Sequence, residues 1–470
     1  MITARRRWAV VAAAVLGGLG AAGAQPAGAP AGYADVAERI AAEERSAGQA
    51  YTLLAQLTDR IGPRLAGSEG AERAVAWSQQ ALGQMGVRAW TEPVRVPRWV
   101  RGLESGEVVS PVTQRLALTA LGGSPSTPPE GLTAEVVEVA SLEALAALPE
   151  AAVKGRVVFF NHAMAAPEHY GPTSPLRTRG PAAAARRGAA AALVRSLSTL
   201  NARLPHTGAT QFEENGRQIP AAALAAEDAL LLHRLLAGGS AVRVHLLLTC
   251  EDRGLVDSAN VLAELPGREH PEEVVLIGAH LDSWDLGTGA IDDGAGVVQV
   301  MEALRLLKSL GLTPRRTVRG VLFMNEEHGL NGARAYALAH AAELGHHVAA
   351  MESDSGGGRP AGVTARVGKG GLERLGETLA LTGPGANRSV AEGGGGADLI
   401  PLQAAGVPEV GLRHDNSAYF HWHHTAADTL DKVDPAELAA GAARMAILAY
   451  VLADQPDPLP RPAANTPPTD

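Results

Sequence analysis

The stretch from His280 to Asp293 gathers metal-seeking side chains within fourteen residues. His280 and Asp282 follow the apolar run VVLIGA, and Asp292 and Asp293 follow a Gly-rich loop. Val274 to Ile277 are all apolar and predict a buried strand. Val297 to Leu310 predicts a helix. A strand that ends in polar residues just before a helix is where open α/β sheets hold ligands.

Three further stretches repeat the pattern. RTVRGVLFMN ends in Glu326-Glu327, HVAAMES ends at Asp354, and VPEVGLRHD leads into the aromatic loop SAYFHWHHTAADT, which carries Tyr419, His421, His423 and His424. Taken singly, a Glu-Glu pair reads as solvated surface, Asp-Asp-Gly as a turn, and an Asp after a strand as a helix cap. A Trp among three histidines is unusual on a plain surface. The arrival of all these groups at strand ends favours a metal site over those readings.

The donor set is nitrogen and oxygen with no thiolate, which suits zinc in a catalytic role. Two zinc ions roughly 3.5–4 Å apart, sharing a carboxylate and a water, are a common hydrolytic design. Two histidines and three acids from these stretches would supply five ligands, with Asp292 bridging. Glu326 would then be free to act as general base.

These side chains need a scaffold. From Val274 onward strand and helix patterns alternate, which predicts a parallel sheet with crossover helices and a closing helix from Pro435 to Leu452. Upstream, Tyr33–Leu57 and Ala71–Met85 read as helices and Val94–Trp99 as extended. The Gly/Pro-rich stretch 122–131 marks a boundary by composition. Beyond it lies a small α/β unit with few groups able to act as acids, bases or ligands. Its exceptions, His162 and His206, read as hydrogen-bonding or surface residues. At 470 residues the chain is expected to hold more than one domain. The divisions are 1–24, a signal peptide; 25–119, the first part of the chemistry-bearing domain; 120–252, the inserted α/β unit; 253–455, the main catalytic part; and 456–470, a Pro-rich tail read as disordered.

The signal-peptide reading rests on Arg5-Arg6-Arg7, the apolar run Trp8–Ala22 and the small residues Ala22-Gly23-Ala24. The run is shorter than the roughly 20 residues of a membrane span, so export without a stable span is expected. Cleavage removes three of the 41 basic residues and no acid, leaving 38 against 50 and a net charge of −12. With no basic block, nucleic acid is excluded as a natural partner. The one cysteine, Cys250, ends the run LLLTC and reads as a small buried residue.

Chain-wide motifs now add a resemblance. GPRLAGS, EPVRVPRW, TPPEGLTAEVV, RTRGPAAAARRGAAAALVRS, PHTG and IPAAALAAEDA lie outside the site, and AHLDSWDLGTGAIDDGAG, EEHGLNGA, MESDSG and HHTAADT lie within it. Together they resemble the carboxypeptidase Q family of co-catalytic zinc exopeptidases. The resemblance implies a mostly parallel central sheet flanked by helices, with a protease-associated domain at 120–252. It implies two zinc ions per chain, His280 and Asp354 on one, Glu327 and His424 on the other, and Asp292 between them with a cis peptide bond to Asp293. It further implies Glu326 as base, Asp282 as the acid orienting His280, a homodimer, and dipeptides or short peptides as substrates. Many relatives carry Tyr before the last ligand histidine to stabilise the oxyanion. His423 stands there in this chain, so His423 and Tyr419 are both candidates for that role. An aminopeptidase that releases N-terminal residues is the first alternative. A silent scaffold of the same fold is another, although all five ligands and the base are present. Single-zinc glutaminyl cyclisation is a further one, distinguished by one zinc per chain instead of two.

Overall fold

The computed structural model describes residues 32–383 and 387–463. The signal peptide expected at 1–24 and the last residues of the tail lie outside that range.

An eight-stranded sheet carries the chemistry-bearing segments. Its order is Arg88–Val100, Glu251–Leu265, Arg316–Phe323, His270–His280, His347–Glu352, Glu409–His414, Pro360–Arg366, Val390–Glu392. The four strands from Arg316–Phe323 to Glu409–His414 run parallel, as the alternating pattern predicts. The strands on either side of them pair antiparallel. Side chains of the central strand alternate between two cores. Val275, Ile277 and Ala279 pack with the helices Ala295–Ser309 and Pro435–Asp454, and Val274 and Leu276 pack with Ala333 and Tyr336 on the other face. A strand buried on both faces must be apolar throughout, which is why VVLIGA shows no polar alternation.

The helix Pro435–Asp454 is capped by Asp434, which accepts from the N–H groups of Ala436 and Glu437, with Pro at its first position. It is long and apolar enough to cross a membrane, but 78% of its most apolar window is buried inside the protein. Its hydropathy is that of a core helix.

A second eight-stranded sheet has the order Gln114–Leu116, Glu104–Ser110, Arg243–Leu248, Leu132–Val139, Val157–Phe160, Ala191–Arg195, Ala221–Leu224, Leu118–Ala120. It begins at Glu104, which corrects the expected boundary at 120. Glu104–Ser110 pairs with Arg243–Leu248, and Leu118–Ala120 pairs with Ala221–Leu224. The Gly/Pro-rich 122–131 stretch is therefore a loop inside this unit, tied back by the Thr127 N–H to Leu248 O. The long antiparallel ribbon of Arg88–Val100 with Glu251–Leu265 leads into and out of it. Cys250 sits at that junction, free and buried.

Two smaller corrections follow. The helix expected over Tyr33–Leu57 is split into Ala34–Ala47 and Ala50–Ala55, followed by a π-turn at Gln56–Ile61. Gly48 is extended there, and a Cβ on it would stand 2.4 Å from Glu44 O. The tail is not disordered over 456–463. Arg316 and Arg374 donate to the carbonyls of Gln455, Pro456, Asp457 and Pro458, and Leu459 is 4% exposed. Proline-rich composition hides this, because the segment docks through its carbonyls and one apolar anchor. Leu459→Ala should cost about 2 kcal/mol of stability, read as a lower midpoint in urea. A change under about 0.5 kcal/mol would be surface behaviour and would contradict the docking.

Candidate metal centre and active-site cleft

Three neighbouring parallel strands end on one edge of the first sheet. His280 closes its strand, Glu326 and Glu327 follow Phe323, and Asp354 follows Glu352. The loop from Leu281 to Gly289 brings Asp292 back over that edge. The loop after Glu409–His414 supplies Tyr419, His423 and His424. A cleft of about 510 Å³ opens here, lined by Asp292, Glu326, Glu327, Asp354, Tyr419 and both histidines among others.

Asp292 stands in the middle. Its Oδ1 is 3.2 Å from His280 Nε2, which is also 3.5 Å from Asp354 Oδ1. Its Oδ2 is 3.2 Å from His424 Nε2, which is also 3.0 Å from Glu327 Oε2. One carboxylate thus gives an oxygen to each of two donor groups. His423 adds a third nitrogen on the second side, with Nε2 at 3.5 Å from Asp292 Oδ2 and its ring stacked on His424. His421 is not in the cluster; it packs edge-on against Trp422.

Both ligand-type imidazoles have their far nitrogen committed. His280 Nδ1 lies 3.0 Å from the backbone carbonyl of Asp282, and His424 Nδ1 lies 3.2 Å from that of Thr207. A carbonyl can only accept, so Nδ1 carries a proton and Nε2 is the nitrogen that faces Asp292, through a proton here and through a lone pair once a metal ion displaces that proton. His424 has φ +61°, a costly conformation for a residue with a Cβ. Thr207 holds it there by also donating its N–H to His424 O at 2.9 Å.

Asp282 acts differently from the expectation. Its carboxylate is 3.8 Å from His280 Nδ1, too far for a hydrogen bond. Oδ1 instead accepts the N–H groups of Asn325 and Glu326, at 2.7 and 3.0 Å. The backbone carbonyl orients the imidazole, and the carboxylate fixes the turn that carries Glu326. Asn325, at φ +75°, is the strained residue this bond retains. The Asp292-Asp293 peptide bond is cis.

The electrostatics call for added positive charge. Burial pushes Asp282, Asp293, Glu326, Glu327 and Asp354 above the usual carboxylate range, against partial relief from the histidines. Burial would raise Asp292 too, but the hydrogen bonds from His280 and His424 hold it well below that range. Burial alone would lower both of these imidazoles; Asp292 with Asp354, and Glu327 with Asp292, raise them instead. His423 is held low by burial and by His424. Six acids thus share a pocket with two cationic imidazoles. Glu327 Oε1 is buried without a hydrogen-bond partner. The protons on His280 and His424 stand where divalent cations would neutralise the carboxylates, and the donor set fits such cations.

Residues without an assigned role in the sequence hold this arrangement together. Arg64, fully buried, donates to the carbonyls of Leu281, Thr288 and Gly289 at 2.6–2.8 Å. Asp428 accepts the N–H groups of Ala290 and Ile291 at 2.8 Å and of Asp292 at 3.3 Å. Burial pushes Asp428 up to about 7, with those N–H groups opposing the rise. Both residues lie in motifs quoted above, GPRLAGS and HHTAADT, which gave their positions but no contacts. His206, read as a hydrogen-bonding or surface residue, is buried beside the His424 loop and held down to about 3 by burial and by His424. Asp428→Ala would leave three buried N–H groups unpaired. It should weaken metal affinity about 10–100-fold, measured by competition with a chromogenic chelator. Unchanged affinity would show that the loop holds its shape without Asp428.

Comparison with known proteins supplies the family. Residues 260–449 match the model of peptidase family M28. Human carboxypeptidase Q is 38% identical over 431 residues, spanning 91% of this chain and 90% of that protein. The rat protein is 39% identical over 435 residues, spanning 92% and 91%. The crystal structure of the peptidase M28 precursor from Shewanella amazonensis SB2B has a TM-score of 0.87 at 40% identity, covering 92% of this chain and 99% of that one. A zinc aminopeptidase from Bacillus subtilis shares the fold, with a TM-score of 0.64 at 21% identity and coverage of 87% and 96%. With full-length relatives at this level of identity, the chain belongs to peptidase family M28 as a carboxypeptidase Q relative, and it is a metallo-exopeptidase.

Proposed function

We propose that the protein is an exported dizinc exopeptidase that hydrolyses dipeptides and short peptides. The observation that carries the reading is Asp292, whose two oxygens face the Nε2 atoms of two imidazoles on opposite sides. In this reading His280 and Asp354 hold one zinc, Glu327 and His424 the other, and Asp292 bridges. Zinc suits a nitrogen and oxygen donor set with positions left open. When bound, the two ions polarise the scissile carbonyl and acidify the attacking water. Glu326 lines the cleft, takes the proton from that water and returns it to the leaving amine. Asp282 keeps Glu326 in place through the backbone. His423 or Tyr419 donates to the oxyanion; both line the cleft, their rings 5.0 Å apart.

The second sheet is read as a protease-associated domain, an insertion that narrows access. Its support is contact: Ser198 Oγ donates to Phe420 O, and Tyr170 and Arg177 share the cleft with Glu326 and Asp354. A site narrowed in this way suits a short substrate with both ends free, whose charged termini must supply much of the affinity. Export through the segment at 1–24 and a homodimer complete the proposal.

Two experiments test it. Glu326→Gln should keep its zinc and lose about 10²–10⁴-fold in kcat; near-normal turnover would remove Glu326 from the base role. Assay of a dipeptide panel should show strong slowing by N-acetylation and by C-terminal amidation. If amidation has no effect, the dipeptidase reading is rejected and an aminopeptidase that needs only the free amine remains.

A further inference from the structure

A second cavity, of about 640 Å³, lies beside the catalytic cleft. That is a size small ligands fill. Its walls come from the start of Pro360–Arg366, the end of Glu409–His414 with Asp415 and Asn416 beyond it, and the helix Pro435–Asp454. Three arginines line it, Arg359, Arg413 and Arg444, against one carboxylate, Asp415. Asn416 also lines the cleft, and its carbonyl accepts from the Tyr419 N–H at 3.1 Å.

The three arginines differ. Arg359 is exposed and stands 3.6 Å from Asp415 and 3.9 Å from Glu437. Arg413 is exposed at the end of its strand. Arg444 is the one basic residue of the apolar helix Pro435–Asp454 and is only 3% exposed. Other buried arginines are compensated. Arg305, Arg316 and Arg319 each meet a glutamate, and Arg64 has its three carbonyls. Arg444 forms no salt bridge among the described residues. It donates to Asn387 O and stands 3.5 Å from Gly362 O, the limit of a hydrogen bond. Its Nε is buried with no partner. Burial, with no carboxylate against it, lowers this guanidinium to about 10. His414, on the same wall, adds no negative charge: its nitrogens face Ser355 Oγ at 3.0 Å and Gln299 Nε2 at 3.4 Å. An unpaired guanidinium in a core helix is costly. Here it borders a cavity with room for the missing counter-ion.

We propose that this cavity is a second binding site, apart from the metal centre, for a small oxyanion that pairs with Arg444 and is held from the mouth by Arg413. Phosphate and the carboxylate of a small organic acid share the chemistry, because the planar guanidinium fork pairs with either through two hydrogen bonds. An anion seated there would also brace the segment through Asn416 that leads to Tyr419. The assignment does not depend on which peptides the metal centre cleaves.

The test is thermal melting of the zinc-loaded enzyme during titration with sodium phosphate and, separately, sodium succinate, with sodium chloride at matched ionic strength as the baseline. An anion that binds the folded protein raises Tm in a saturable way. The wild type should show this rise above the chloride baseline. Phosphate acting alone identifies an inorganic ligand, and succinate acting alone an organic acid. Arg444→Met should melt without anion no lower than the wild type, because it removes an unpaired buried charge. It should need at least about tenfold more anion for the same rise. Arg444→Lys, which keeps the charge, and the surface variant Arg413→Ala should each weaken the response, and they keep the test open if Arg444→Met does not fold. Any anion bound at zinc raises Tm alike in all four proteins. A response equal in the wild type and the variants that fold would therefore overturn the assignment. So would the lack of a saturable rise with either anion in the wild type.

Discussion

The structure depends on a surplus of buried carboxylates around Asp292. Six acids crowd one sheet edge, and burial holds five of them above their ordinary range. Asp292 alone stays low, because two imidazoles face its two oxygens. Such a cluster is unfavourable in an empty, low-dielectric site. Cations of higher charge resolve the conflict, and the same cations are what a peptide carbonyl and an attacking water need. Repulsion that would weaken an ordinary core is here the source of metal affinity.

Holding that cluster still requires more than ligands. Each of the two key imidazoles is fixed by a backbone carbonyl, one from its own strand end and one from Thr207 in the second sheet. Arg64 satisfies three carbonyls of the loop before Asp292, and Asp428 satisfies three N–H groups of the loop itself. A cation and an anion thus clamp the same loop from its acceptor and donor sides. The positive φ values of Asn325 and His424 fall beside Glu326 and at a cleft imidazole, and backbone strain is retained where its surroundings over-determine it. The second sheet's unit is therefore structurally part of the site, because Thr207 and Arg177 both touch His424.

Much of this was legible in the sequence, for identifiable reasons. Strands buried on both faces leave unbroken apolar runs, so VVLIGA and RTVRGVLF announced themselves, and the polar residues just past them could be placed on one edge. Histidine and acid side chains at those ends pointed to metal because each alone had an innocent reading and all together did not. What stayed hidden was contact. Arg64 and Asp428 act on backbone groups distant in sequence, so no spacing reveals their partners. The resemblance implied Asp282 as a support for His280, yet its carboxylate accepts from the turn after the neighbouring strand. The start of the second sheet at Glu104 was missed because the Gly/Pro-rich stretch is a loop inside it. The tail at 456–463 looked disordered because docking through carbonyls leaves no apolar period.

The central claim is that Asp292 is shared by two metal ions. Native mass spectrometry of the purified, zinc-loaded protein tests it most directly, comparing the wild type with Asp292→Ala and Glu327→Ala. The account predicts two zinc ions per chain in the wild type, loss of tight binding at both positions in Asp292→Ala, and loss at one in Glu327→Ala. An Asp292→Ala protein that still holds two zinc ions tightly would contradict it.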